Sequence, residues 1–292
     1  MKDKDYVAYI DTDSLFLMIS AFLIDKGVTK EHWTSLTQEV RTKYILKISK
    51  LVEGNVNDRS YNETQLNDYN SILDRGDFSI SFKQEIVCPK ALFIAPKMYC
   101  YYVINDEGFD CDRIDAKGIE IVRSNAPRVF RKSLKYLIET ILKDGDEDVL
   151  KDTISDHKKG FYSAIPEDIS TNIGVNNLLK YTKADFSYIK GTPYQVKGAA
   201  NYHWLLDHLG ITHQYEPIKE GDKVKLVYVK ENRFGIKNIA YYNWPSEFTK
   251  AGLVPDVDIM IEKYYTAKAK ILFEPMDKVG LLFDNSTMDE FF

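Results

Sequence analysis

Two short apolar runs, YVAYI (6–10) and LFLMI (15–19), flank the tetrapeptide DTDS. Apolar runs of that length between turn formers read as strands. Asp and Ser favour turns because their side chains bond nearby backbone N–H groups. The pattern predicts a β-hairpin carrying Asp11 and Asp13 at its tip. Farther on, Trp33, Leu36, Val40, Tyr44, Ile48 and Leu51 recur every three or four residues. That period predicts one long helix over 29–53, capped by Thr29 and ended by Gly54, with a single apolar face. Residues 55–76 are rich in Asn, Asp and Ser and predict a surface loop with at most one polar helix.

A strand-rich block follows. FSISFKQEIV (78–87), ALFIAP, MYCYYVI, the turn NDEG (105–108) and a strand near GIEIV (118–122) predict an antiparallel set. Near residue 124 the period lengthens. SNAPRVFRKSLKYLIETIL has Pro127 at a helix start, with Phe130, Leu134, Leu137, Ile138 and Ile141 on one face. Arg128, Arg131, Lys132 and Lys135 fall on its remaining surface, and the acidic run DGDED (144–148) is expected to close this helix region. Helices near 149–160, 198–209 and 256–274 and strands near 224–229 and 236–242 complete the pattern. The fold class expected is α+β, with an antiparallel sheet and helices over 1–122, a mixed, largely helical domain over 123–285, and a short tail, STMDEFF, over 286–292.

Composition changes this picture little. The chain has 292 residues, 44% of them hydrophobic and 28% charged, with a formal charge of −5, so bulk charge does not mark a nucleic-acid binder. Only local clusters of Lys and Arg could do so. Cys88, Cys100 and Cys111 are odd in number and lack metal-ligand spacing, which predicts a reduced, cytoplasmic protein. The mixed charges of MKDKD give no expectation of a secretory leader, and LFLMISAFLI (15–24) is too short to cross a bilayer.

Candidate chemistry concentrates at DTDS. Two carboxylates on one tip repel each other unless donors or a cation neutralise them. A hard cation such as Mg²⁺ takes oxygen ligands and keeps waters and substrate phosphates. The plain alternative is an ordinary turn. A calcium-binding EF-hand is disfavoured, since a loop counted from Asp11 needs Gly at 16 and Glu at 22, and both positions are Phe.

YIDTDS (9–14) resembles motif C of family B DNA polymerases, usually written YGDTDS, with Ile10 in place of the Gly. The resemblance implies a hairpin of the polymerase palm, with Asp13 a principal metal ligand and Asp11 beside the metals as support. Lys97-Met98-Tyr99 resembles the KxY motif that follows motif C in that family. It implies that Lys97 reaches the minor groove near the primer terminus and that Tyr99 contacts primer backbone phosphate. KGIEIVR (117–123) resembles the KGxExxRR segment where palm passes into thumb, which implies DNA contacts from Lys117 and Arg123, although Ser124 replaces the second Arg. KGAANYHWLLDHLG (197–210), GDKVKLVYVK (221–230) and FEPMDKVGL (273–281) resemble thumb segments of polymerases from large tailed bacteriophages. Ten Lys or Arg face six Asp or Glu between 180 and 237, a local excess suited to duplex phosphates. The tail resembles a clamp-binding peptide, with Met288, Phe291 and Phe292 entering an apolar pocket of a sliding clamp.

Motif A, DxxSLYP, and the motif B helix, KxxxNSxYG, have no copy in this sequence, nor has the acidic exonuclease domain. We therefore expect an N-terminal partner polypeptide to supply them, two Mg²⁺ ions to be shared with it, and primer–template DNA and deoxynucleotides to be the substrates. A piece of a longer chain is the alternative; the Met and its polar leader favour a natural split. The isolated chain is expected to be catalytically inactive. A second reading is a non-catalytic DNA- and clamp-binding accessory module derived from a polymerase. A Mg²⁺-dependent nuclease is a weaker third, because no further acidic cluster is evident.

Overall fold

A computed structural model describes residues 6–11, 14–57, 82–119, 126–143 and 145–282. The protein is α+β and divides into two compact units, Met1–Gly118 and Ile119–Phe292. The boundary expected at 122/123 lies outside the described residues, as do the expected loop over most of 55–76, the start of the expected strand at 78 and the tail.

In the first unit, β1 (Val7–Asp11) and β2 (Ser14–Leu17) form the expected antiparallel hairpin. A second sheet is built around β5 (Met98–Asp106). β3 (Ile86–Val87) and β4 (Lys90–Ala95) follow one another along one edge of β5, and β6 (Phe109–Lys117) pairs with the other, all antiparallel. Alternation in β5 sends Tyr99, Tyr101 and Val103 to one face, where Tyr9, Phe16, Ile86, Cys88, Phe93 and Cys111 pack against them. The NDEG turn forms with Glu107 and Gly108 both at positive φ, and Asn105 Oδ1 accepts from the Gly108 amide at 3.0 Å.

Three expectations for this unit need correction. The last strand of this unit among the described residues is Phe109–Lys117; Gly118 and Ile119, the start of the strand expected near 118–122, lie outside it, and the rest of that strand falls outside the described residues. FDCDRIDAK looks polar because much of the strand is solvent-facing, so its apolar alternation is weak. Only Ile86–Val87 of the strand expected over 78–87 is paired among the described residues. The long helix is two helices, α2 (Lys30–Ser35) and α3 (Gln38–Val56), preceded by α1 (Ile19–Asp25). Leu36 turns extended at ψ 143°, and Thr37 then caps α3 by accepting from the Val40 amide at 3.4 Å. Thr29 caps α2 as expected, accepting from the His32 amide at 3.1 Å.

In the second unit, α4 (Arg128–Lys143) buries Phe130, Leu134, Leu137, Ile138 and Ile141, the face its period predicts. The acidic run opens the next helix rather than closing this one. Asp146 caps α5 (Glu147–Tyr162), accepting from the Asp148 and Val149 amides, and Glu147 and Asp148 sit where the helix dipole favours negative charge. After α6 (Pro166–Ile169), β7 (Thr171–Gly174) pairs with β8 (Lys223–Tyr228), which pairs with β9 (Asn238–Tyr241). α7 (Leu178–Tyr181) and α8 (Tyr194–His208) lie between β7 and β8 in the chain. α8 packs closely on β9 because Gly198 lacks a side chain: a Cβ there would stand 2.4 Å from Leu226 Cδ1 and 3.0 Å from the Ala240 amide nitrogen. α9 (Ser246–Lys250) precedes the expected C-terminal helix, which runs as α10 (Val257–Ile261), a π turn (Glu262–Thr266) and α11 (Ala267–Phe273). Phe161 joins α5 to this helix and to α4, with ring centroids 4.9 Å from Tyr265 and 4.6 Å from Phe130.

Candidate active site

The hairpin register pairs Asp11 with Ser14, and the Ser14 hydroxyl donates to the Asp11 carbonyl at 3.1 Å. Tyr9 pairs with Phe16 two steps back, so both rings point the same way. They enter an aromatic cluster: Tyr9 lies 5.2 Å from Phe93 and 5.1 Å from Tyr99 between centroids, and Phe16 lies 5.5 Å from Tyr101. Such pairs contribute about 0.5–1.5 kcal/mol each beyond the area they bury. A two-stranded hairpin is marginal alone, so these rings hold the acidic tip in place.

Two tyrosine hydroxyls then cross between hairpin and sheet. Tyr99 donates to Asp11 Oδ2 at 3.0 Å. Burial, and next the Asp11 carboxylate, push the Tyr99 hydroxyl up to about 12, so it is a protonated donor across the neutral range. In the other direction, the Lys97 amide donates to the Tyr9 hydroxyl oxygen at 2.7 Å. Lys97 occupies the second corner of the turn between β4 and β5, after Pro96, with φ 61°. Across β5, Lys117 pairs with Tyr99, and its ammonium stands 5.9 Å from the Tyr99 ring centroid. Gly118, at φ 69°, lies directly under the Lys97 carbonyl; a Cβ at 118 would be 1.8 Å from that oxygen.

Three separated stretches thus converge in one unit: residues 9–11, 97–99 and 117–118. Asp11 is half-buried at the tip, while Lys97 and Lys117 are exposed. Tyr99, expected at the primer backbone, is fully buried, and its hydroxyl donates to the Asp11 carboxylate. Asp13, Arg123, Met288, Phe291 and Phe292 lie outside the described residues. Tyr9 and Gly118 complete the constellation and were not singled out by the sequence patterns. The available signal was their position: Tyr9 opens the YIDTDS stretch two residues before Asp11, and Gly118 follows Lys117. For a divalent ion, the carboxylate oxygens at the tip are hard donors of the type Mg²⁺ takes. Among the described residues, no three His, Cys, Asp or Glu side chains come together as a metal site.

In the second unit, the segment 179–197 interleaves cations and apolar side chains at the surface. Lys180, Lys183 and Lys190 are exposed, as are Leu179, Tyr188, Ile189 and Tyr194. The Lys197 ammonium lies 5.7 Å from the Tyr188 ring centroid. Cations alternating with exposed rings suit a nucleic-acid strand, whose backbone is anionic and whose bases stack. No helix among the described residues is long and apolar enough to cross a membrane. No family model and no curated protein matches the chain.

Proposed function

We propose that this chain is the C-terminal part of a family B DNA-directed DNA polymerase, active in template-directed synthesis when an N-terminal polypeptide completes its site. The observation that carries this reading is the convergence of YIDTDS, KMY and KG: Asp11 is bonded to Tyr99, Lys97 to Tyr9, and Gly118 packs under Lys97. Each motif alone is short enough to occur by chance. Their meeting at one acidic tip is what a primer-end site requires.

In this reading Asp13, with Asp11, would hold divalent ions together with a carboxylate from the partner. When bound, Mg²⁺ would stabilise negative charge on the attacking and leaving oxygens of a phosphoryl transfer. Tyr99 neutralises part of the Asp11 charge and fixes its orientation. Lys97 offers a long cation to the acceptors that all base pairs share in the minor groove, which reports pairing without reading sequence. Lys117 adds a second cation on the same surface. The second unit would act as thumb, its lysines meeting duplex phosphates, and the tail would tether the complex to a sliding clamp.

The test uses the polypeptide that co-purifies with this chain from its source. The chain alone should extend no labelled primer, and the pair should extend one. Asp13→Ala in the pair should lower incorporation by about a thousandfold or more, with duplex binding nearly intact. Primer extension by the chain alone, or full synthesis by Asp13→Ala, defeats the proposal. A stable complex that binds primer–template but never extends it identifies an accessory module instead.

A further inference from the structure

The turn that presents Lys97 is held far more firmly than chain reversal requires. Lys97 sits at φ 61°, a region that is unfavourable for a residue with a Cβ and that Gly enters freely. A lysine kept there has its side chain as the reason. Its amide is bonded and its carbonyl is closely covered. The amide donates to the Tyr9 hydroxyl, 88 residues away in sequence, at 2.7 Å. The carbonyl is covered by Gly118, where a Cβ would come within 1.8 Å of the oxygen and 2.8 Å of the carbon. The Tyr9 ring is itself fixed, at 5.2 Å from Phe93 and 5.1 Å from Tyr99, so its hydroxyl cannot follow a turn that shifts. Strand β1 therefore carries both the Asp11 carboxylate and, two residues earlier, the oxygen that sets the Lys97 backbone.

We propose that Tyr9 is a positioning residue for Lys97: its hydroxyl, opposite Gly118, holds the left-handed turn that presents the Lys97 ammonium to a nucleic-acid primer end beside the acidic tip. The inference rests on the polymerase reading for the identity of the ligand, and on the two contacts above for the role of Tyr9. It does not require Tyr9 to touch DNA. Tyr9 acts through Lys97 alone, so the two residues share one effect on binding.

The probe is a fluorescently labelled primer–template duplex with a recessed 3′ end, titrated with the full chain at low salt and followed by anisotropy. Lys97→Ala should weaken binding about tenfold, the loss of one charged contact. Tyr9→Phe, which keeps the ring and removes only the oxygen, should weaken it several-fold. The double variant should bind no worse than Lys97→Ala, because two residues acting through one contact are not additive. Lys97→Arg, which keeps the cation, should bind near the wild-type level and still lose several-fold on Tyr9→Phe. Amide exchange supplies a readout on the folded protein: Lys97 should exchange faster in Tyr9→Phe while the β5 amides stay protected. The inference is overturned if Tyr9→Phe binds like the wild type while Lys97→Ala does not, or if the two losses multiply. Equal binding by wild type and Lys97→Ala, or no binding by the wild type at any concentration reached, removes Lys97 as a nucleic-acid contact and overturns the inference, while the polymerase reading stands or falls on primer extension by the completed pair.

Discussion

Tyr99 and Gly118 show how single residues set the geometry of the acidic tip. Tyr99→Phe leaves the aromatic cluster in place but removes a donor from Asp11, and should cost about 1–2 kcal/mol in urea unfolding. The same hydroxyl gives a pH signature. Its folded value is raised to about 12, so the unfolded chain releases this proton first as pH rises past the usual tyrosine value. Stability from Tyr99 is therefore complete below pH 10 and drains away between about 10 and 12. Urea midpoints at pH 8 and 11 should differ less in Tyr99→Phe than in the wild type. Gly118→Ala must relieve both a positive φ and an overlap with the Lys97 carbonyl, and should cost about 2 kcal/mol or more by the same measurement. At this scale the sequence was legible where the chemistry is local. The tip carboxylates follow from turn residues next to one another. The bonds from Tyr9 to Lys97 and from Tyr99 to Asp11 each join residues 88 apart, and no pattern along the chain encodes which strands meet. The burial of Tyr99 was hidden for the same reason.

At the scale of elements, periodicity located most helices and strands, and it failed where a cap competes with a period. Trp33, Leu36 and Val40 keep helical spacing through a break, because spacing is blind to the extended ψ of Leu36. The sign of the break was Thr37, a residue favoured at helix starts. Its hydroxyl accepts from the Val40 amide, so Thr37→Ala should cost about 1 kcal/mol, read as a lower urea midpoint. DGDED misled in the opposite direction: acids after one helix are also acids before the next, and the dipole of α5 decides between them. α5 also carries His157, whose Nδ1 lies 2.9 Å from the Tyr265 hydroxyl. Burial, only partly opposed by Asp156, pushes His157 down to about 4. The unfolded chain then takes up this proton first as pH falls. The stability linked to His157 is present above about pH 6.5 and is lost as pH drops toward 4. Thermal unfolding over that window should show a fall in midpoint that His157→Gln makes shallower.

Among the described residues of the first unit, several large apolar side chains are exposed. On the hairpin, Tyr9 and Phe16 face the aromatic cluster, while Ile10 is 65% and Leu15 42% exposed. These two are paired in register, so they form one patch immediately behind the acidic tip. On α3, Val40, Tyr44 and Leu51, the expected apolar face, are exposed as well. Exposed apolar residues are ordinary when scattered, but a paired patch beside the Asp11 carboxylate favours a contact. The proposed function supplies the contact: the polypeptide that completes the ion site must approach this tip. Ile10→Glu and Leu15→Glu follow as a discriminating pair of changes. Both positions face water in the isolated chain, so each variant should keep its unfolding free energy within about 0.5 kcal/mol of the wild type. Each would place a charge against an apolar partner in the complex, and leaving it buried and unpaired costs several kcal/mol. Association with the co-purifying polypeptide, measured by calorimetry, should weaken at least about tenfold, and primer extension should fall with it at limiting partner and recover at excess. Variants that unfold would show the patch to be part of this unit's own core. Variants that associate normally would show that the completing polypeptide approaches the tip from another side.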